Sequence, residues 1–286
     1  KMKIAGIKYL SLLISLIVVW GTASPLIAQR NFKIITYNVW VGYEDGIHSR
    51  FPCYPSGQDR KDGIYKWLKK QNADVVVFQE LIDYNSDKLK GEAAFWGHNF
   101  AVTLKDNGMA IGITSRFPIE VKEVLTEGMH HGLISCNIEG INIIATHLWP
   151  RFDDKILEEV NIVIQRIKES VDKGIPVIVL GDFNAFSPED DIYLGEDIID
   201  LYSNHWKWKL ENGRPSYRVI QALLDNDLKD MYAKFRRGKY YEGGRYDFIF
   251  ASSALADKCI KATHTSRGKF LKLSDHFPVS AEFILE

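Results

Sequence analysis

Apolar residues in this chain recur with two different periods. Short runs rich in Val and Ile, bounded by Gly, Pro or Asn, predict strands over 33–39, 74–79, 109–115, 133–138, 141–146, 176–180, 246–250 and 279–284. Two segments, 59–71 and 153–173, predict helices. In the second, Ile156, Val160, Val163, Ile164 and Ile167 follow one another at steps of three and four, which places them on one helix face. Asp153 or Asp154 can cap its start, and Gly174 followed by Pro176 stops it. Only Glu139 and Gly140 separate two of the strand runs, a hairpin link that requires an antiparallel pair and so a mixed sheet. Two such sheets packed face to face, with helices outside, accommodate these elements. The segment 187–217 reads as the longest irregular region. Trp206 and Trp208 within it lie two apart and share a face if extended, as part of a packed flap or as a substrate platform.

The polar residues that interrupt this pattern sit at strand ends. Asn38, Glu80 and His147 each close an apolar run, Asp182 and Asn184 follow another, Asp247 interrupts a third kind of run near its start, and Asp275 and His276 precede the last strand. Each has an ordinary explanation alone, such as a turn residue or a loop carboxylate. Together they place acids, amides and imidazoles at six strand ends, where burial is costly without partners, and this predicts one shared cleft. Glu80 and Asp275 are hard oxygen donors to which the Asn38 amide can add another, a set suited to Mg²⁺ and equally to Mn²⁺. No His or Cys spacing suggests zinc. His147 and His276 can donate to a phosphoryl group, Asp182 and Asn184 can orient a water, and Asp247 can hold His276 protonated.

Composition changes this picture little. The chain has 286 residues, 46% hydrophobic and 12% aromatic, which suits one folded α/β domain and excludes disorder or a coiled coil. The first 28 residues differ. Lys1, Lys3 and Lys8 precede the uncharged run YLSLLISLIVVW, and small residues follow at 21–24 and at Ala28. This is the layout of a secretory signal peptide cleaved near Ala23 or Ala28; its apolar run is short of the roughly 20 residues that span a bilayer, and an uncleaved N-terminal membrane anchor is the alternative. The expected division is therefore 1–28 as signal peptide and 29–286 as catalytic domain, in a periplasmic or secreted protein. Removing the leader removes three lysines and no acid, taking the formal charge from −1 to −4, so no basic excess marks a nucleic-acid binder. Cys53, Cys136 and Cys259 have no metal-ligand spacing; an oxidising compartment permits one disulfide, and Cys136 reads as core.

The runs TYNVW (36–40), FQE (78–80), THL (146–148), GDFN (181–184), RYDFIF (245–250) and SDHFPV (274–279) together resemble the endonuclease/exonuclease/phosphatase superfamily, over about residues 31–286. The resemblance implies a four-layer α/β/β/α sandwich and in-line attack of water on a phosphoester with a divalent metal. It implies Asn38, Glu80 and Asp275 near the metal, and His147 on the phosphate. Asp182 and Asn184 would align the water, and Asp247 would pair with His276. His131, ahead of a strand, and Arg245, in the basic and aromatic stretch KFRRGKYYEGGR (234–245), are candidate substrate contacts. The expected substrate is a small-molecule or lipid phosphoester. A Mg²⁺-dependent nuclease acting on nucleic acid is the alternative, and a non-catalytic binding protein that keeps the fold is the reading from another class. No stable protein partner is implied, and a monomer is expected.

Overall fold

The computed structural model describes residues 29–43, 46–51, 53–236, 245–265 and 272–285. The expected leader, 1–28, and the middle of the basic stretch, 237–244, lie outside the described residues. In chain order the strands are β1 (Arg30–Asn38), β2 (Val75–Ile82), β3 (Phe100–Thr103), β4 (Met109–Ser115), β5 (Glu120–Leu125), β6 (Leu133–Ile138) and β7 (Ile141–His147). Then follow β8 (Val177–Asp182), β9 (Leu210–Glu211), β10 (Arg214–Pro215), β11 (Leu228–Asp230), β12 (Asp247–Ser252), β13 (Cys259–His264) and β14 (Val279–Leu285). The α-helices are α1 (Gly46–Arg50), α2 (Gly57–Gln71), α3 (Ser86–Ala93), α4 (Asp154–Val171), α5 (Glu196–His205), α6 (Arg218–Leu224), α7 (Met231–Phe235) and α8 (Ser253–Ala256).

Two six-stranded mixed sheets result, ordered β13-β14-β1-β2-β4-β3 and β11-β12-β8-β7-β6-β5. Strand alternation builds the layers. Ile34, Val75 and Val77 of the first sheet meet Ile143, Ile178, Leu180 and Ile249 of the second in the central core. The opposite face of the first sheet, with Ile35, Val76 and Phe78, is covered by Ile64, Trp67 and Leu68 of α2. The outer face of the second, with Ile144, Val179 and Phe250, is covered by Ile156, Val160, Val163 and Ile167 of α4 and by α6. Each such buried aliphatic side chain stabilises the fold by about 1.5–3 kcal/mol relative to exposure. The architecture is the expected four-layer sandwich.

Both predicted helices form. Asp153 caps α4 by accepting the Lys155 N–H, and Ser56 caps α2 by accepting the Asp59 N–H, two residues earlier than the apolar pattern alone suggests. The Glu139–Gly140 link has φ of 57° and 81°, the positive pair that a tight two-residue hairpin needs. The segment 187–217 departs from expectation. It holds a 3-10 turn (Pro188–Tyr193), α5, a second 3-10 turn (Lys207–Lys209) and the β9–β10 ribbon. Its own core of Phe186, Leu194, Ile198, Tyr202 and Leu210 supplies the order. Trp206 and Trp208 belong to turns and not to a strand. The strands β3, β5, β11 and β13 were not legible in the apolar pattern. No disulfide joins Cys53, Cys136 and Cys259, and Cys136 is core as expected. No helix among the described residues is long and apolar enough to cross a membrane.

His98 is fully buried between the Thr114 hydroxyl and the Ala73 carbonyl, at 2.8 and 2.9 Å. Burial pushes its imidazole down to about 4. The unfolded chain binds a proton near pH 6.5 that the folded chain refuses, so this contribution to stability is complete above about 6.5 and is lost as pH falls toward 4. Its full size is about 3 kcal/mol, at about 1.4 kcal/mol for each unit of displacement. Urea midpoints measured from pH 7 to 4 should therefore fall less steeply for His98→Gln than for the unsubstituted chain. Parallel slopes would remove His98 from the account of acid sensitivity.

Candidate active site

Strand direction decides which residues meet. β1 runs parallel to β2, and β7 parallel to β8, so their C-terminal ends carry Asn38, Glu80, His147 and Asp182 to one edge of the sandwich. β12 is antiparallel to β8 and β14 antiparallel to β1, so the same edge receives their starts. For that reason Asp247 opens its strand and Asp275 and His276 precede theirs. Register then aligns a row: Asp182 lies opposite His147 on one side and opposite Asp247 on the other. Gly181 permits this close approach. Its φ is 145°, and a Cβ there would stand 1.8 Å from the Thr146 carbonyl oxygen. Glu80 occupies a bulge of β2, with φ of 63°, which turns its carboxylate into the cleft.

Asp182 is the hub. Its Oδ1 accepts the Asn184 N–H at 2.9 Å, and its Oδ2 accepts from the Asn38 amide at 3.0 Å. His147 Nε2 lies 3.4 Å and His276 Nε2 3.7 Å from the same Oδ2. Asn184 donates its side-chain N–H to the Leu148 carbonyl at 2.9 Å. His276 is oriented by Asp247, 2.7 Å from Nδ1, and its backbone N–H donates to Ser274 Oγ at 3.1 Å. Ser274 in turn donates to the Asn38 carbonyl, which ties the last motif to the first.

The two histidines are driven apart in charge. Burial pushes His147 well below its ordinary range, and the positive charges of His276 and Lys209 add to this, so it stays neutral. Burial opposes a charge on His276 too, yet Asp247, Asp182 and Asp275 hold its imidazolium well above that range. Burial raises Glu80, and burial raises Asp247 to about 6.

These carboxylates fit a divalent cation. Two groups of ligand atoms lie within 4.8 Å of one another, Glu80–His147–Asp182 and Asp182–Asp247–His276. Asp247 Oδ1 is buried without a hydrogen-bond partner. The acids Glu80, Asp182, Asp247 and Asp275 outnumber the cations His276 and Lys209 beside them, and oxygen donors suit a hard cation. Asp275 belongs to neither group; it stands exposed at the rim, where its charge acts on Glu80. Asn38 differs from expectation. Its NH₂ donates to Glu80 Oε1 and to Asp182 Oδ2, both at 3.0 Å, and its Oδ1 accepts from Trp40 N–H, so it orients two carboxylates instead of turning its oxygen to the cleft.

His131 joins the site. Its ring stacks on His147 at 3.9 Å between centroids and 9° between planes. Burial, followed by the neighbouring His147 and His130 imidazoles with which it competes for a proton, pushes it down to about 2, so it too is neutral. Arg245 does not join, contrary to its expected role as a substrate contact. Its side chain is fully buried, with Nε 2.8 Å from Asp190 Oδ2 and Nη2 2.6 Å from Asp230 Oδ2. A guanidinium held by two buried acids serves the fold and is unavailable to a ligand.

Three contributors were missed in the sequence. Lys209 enters from the 187–217 insert. Its Nζ donates to Asn184 Oδ1 and lies 4.1 Å from the Tyr246 ring centre. Burial pushes it down to about 8, against the pull of Asp182, Asp247, Asp275 and Glu80. Glu159 of α4 is buried and accepts the backbone N–H groups of His130 and Trp149 at 2.6 and 2.7 Å, locking the segments that carry His131 and His147. Arg60 of α2, also buried, donates to the Val39, Trp40 and Leu273 carbonyls and so joins the chain after Asn38 to the chain before Ser274.

The model of the Endonuclease/Exonuclease/phosphatase family matches residues 35–276, which takes in the whole of this constellation. The chain belongs to that family. Its members are metal-dependent phosphoester hydrolases, nucleases and 3′ phosphatases among them. The exodeoxyribonuclease III of Haemophilus influenzae is 30% identical over 140 residues, which are 42% of this chain and 50% of that enzyme, so the chain spans about half the length of the curated relative it matches. An AP endonuclease from Archaeoglobus fulgidus superposes with a TM-score of 0.62 at 22% identity, covering 88% of this chain and 99% of the other. A 3′ phosphatase from Neisseria, solved with a product DNA hairpin, gives 0.63 at 20% identity with the same coverage. At these identities the two structures establish the shared fold.

Proposed function

We propose that this family member is an exported phosphohydrolase of small-molecule or lipid phosphoesters, using Mg²⁺ or Mn²⁺, with Asp182 as the base that activates water. The observation that carries the reaction is the position of Asp182, anchored by Asn184 and Asn38 and flanked by one neutral and one protonated histidine. The water oxygen bonds to phosphorus, the ester P–O bond opposite breaks, Asp182 takes the water proton, and the leaving oxygen takes up a proton from solvent water, to which Asp182 later returns its own. His276 donates to a phosphoryl oxygen as an imidazolium, and His147 and His131 donate as neutral rings. Glu80, with Asp275 at the rim, holds the metal, whose chemistry is to neutralise the phosphoryl oxygens. Export rests on the basic, apolar, small pattern of residues 1–28.

The preference for small or lipid substrates rests on the basic stretch that nucleic acid would need. Lys234 donates to the Ala256 carbonyl, Arg236 pairs with Asp190, and Arg245 pairs with Asp190 and Asp230. These cations are consumed inside the fold, which leaves less charge for a phosphate backbone. The relatives favour the second reading, a nuclease or a 3′ phosphatase acting on DNA. Plasmid DNA, a 3′-phosphorylated oligonucleotide, bis-4-nitrophenyl phosphate, sphingomyelin and inositol phosphates, assayed side by side, distinguish the two. Small-substrate turnover that EDTA abolishes and Mg²⁺ restores is the expected result. Efficient DNA cleavage with no small-substrate turnover would replace the first reading by the second, and turnover that persists in EDTA would remove the metal.

A further inference from the structure

The ammonium of Lys209 stands beside Asn184, one step from Asp182. It is half-buried, and among the described residues it makes no ion pair. It rests on one amide oxygen, Asn184 Oδ1, and on the face of Tyr246. The carboxylates of the cleft, Asp182, Asp247, Asp275 and Glu80, act on this ammonium from a distance without pairing with it, so among the described residues its N–H donors are only partly used and can turn to an incoming anion. Its backbone is nonetheless fixed. Lys209 N–H donates to the Trp206 carbonyl at 2.8 Å, Phe152 N–H donates to the Trp208 carbonyl at 2.8 Å, and the next residue, Leu210, is core of the insert. The insert therefore presents one lysine to the cleft at low entropic cost.

Asp182 has two flanks. Glu80 reaches it through Asn38, and Lys209 reaches it through Asn184. We propose that Lys209 reads the charge of the phosphoryl group and makes the enzyme prefer a terminal phosphate to an internal phosphodiester. This rests on the phosphohydrolase reading above. A terminal phosphoryl group offers three non-bridging oxygens and two negative charges, whereas a diester offers two oxygens and one charge. An ammonium with three N–H donors on the Asn184 flank rewards a third anionic oxygen there and leaves a second ester substituent facing a charge. The insert, and not the strand-end motifs, then sets the choice between monoester and diester.

The test compares Lys209→Met, which keeps the length of the stem, with Lys209→Arg, which keeps the charge. Substrates are 4-nitrophenyl phosphate and bis-4-nitrophenyl phosphate with saturating Mg²⁺, and thermal melts confirm that each variant folds. Lys209→Met should lose about 100-fold in kcat/KM on the monoester, as for loss of one oxyanion donor, and less than about 5-fold on the diester. Lys209→Arg should retain most of the monoester-to-diester ratio. Equal losses on both substrates, or no loss on either while the parent enzyme is active, would overturn the proposal. A parent enzyme that hydrolyses no phosphoester of any kind would overturn the phosphohydrolase reading itself, and Lys209 with it.

Discussion

Asp182→Asn should lower kcat by about 1000-fold or more while KM stays level or falls. The substitution preserves shape, and its single acceptor oxygen can keep the Asn184 N–H bond while the bond from the Asn38 amide is lost. What it removes is the group that takes the water proton. That loss is confined to the transition state, so it belongs in kcat. It also removes a negative charge from a cleft already holding Glu80 and Asp247. A bound phosphoester is then repelled less in the ground state, and KM has no reason to rise. Steady-state kinetics on the best substrate of the panel, beside a cooperative melt, decide the matter. A variant within tenfold of the parent in kcat, or one impaired only in KM, would displace Asp182 from the role of base.

Asp247→Asn should lower kcat by about 100- to 10,000-fold and change its pH dependence in a definite direction. His276 is protonated because Asp247 sits 2.7 Å from Nδ1 with Asp182 and Asp275 close by, and these together outweigh burial. A raised value means that the imidazolium persists above neutral pH and is lost only as pH climbs through that raised value. An asparagine accepts one hydrogen bond from Nδ1 but supplies no charge, so burial dominates and the proton leaves at lower pH. The alkaline limb of the kcat profile should move toward acid by at least one unit. An alkaline limb in the same place, at reduced amplitude, would assign it to another group and leave Asp247 with a packing role.

Legibility in the sequence followed how local each signal was. Where one face of an element is buried along its whole length, the apolar period survives, as in α4 and in the strands at the centre of both sheets. The strands β3, β5, β11 and β13 are flanking or short, with fewer buried positions, and their period is diluted. Glu159 and Arg60 left a faint signal. Each is a charge on the apolar face of its helix, in step with Ile156 and Val163 or with Ile64 and Trp67. A charge that interrupts such a face is costly unless it caps backbone groups from other segments, which is what both do. Lys209 left none. It follows two tryptophans in an insert whose order comes from its own small core, and nothing local distinguishes it from the solvent-facing Lys207.

The sequence by itself determined the family, the two periodicities that make the sandwich, and the donor groups at the strand ends, because those depend on residue type and nearest spacing. Tertiary structure decided the rest, because it depends on strand direction, register and the third dimension. Antiparallel β12 and β14 bring the starts of two strands to the edge where four others end. Register opposes Asp182 to both His147 and Asp247. Competition for hydrogen bonds turns the Asn38 NH₂ toward two acids and gives Arg245 to Asp190 and Asp230. Folding of the insert delivers Lys209. Each of these unites residues tens to hundreds of positions apart, and no local pattern encodes which of the available partners a buried polar group obtains.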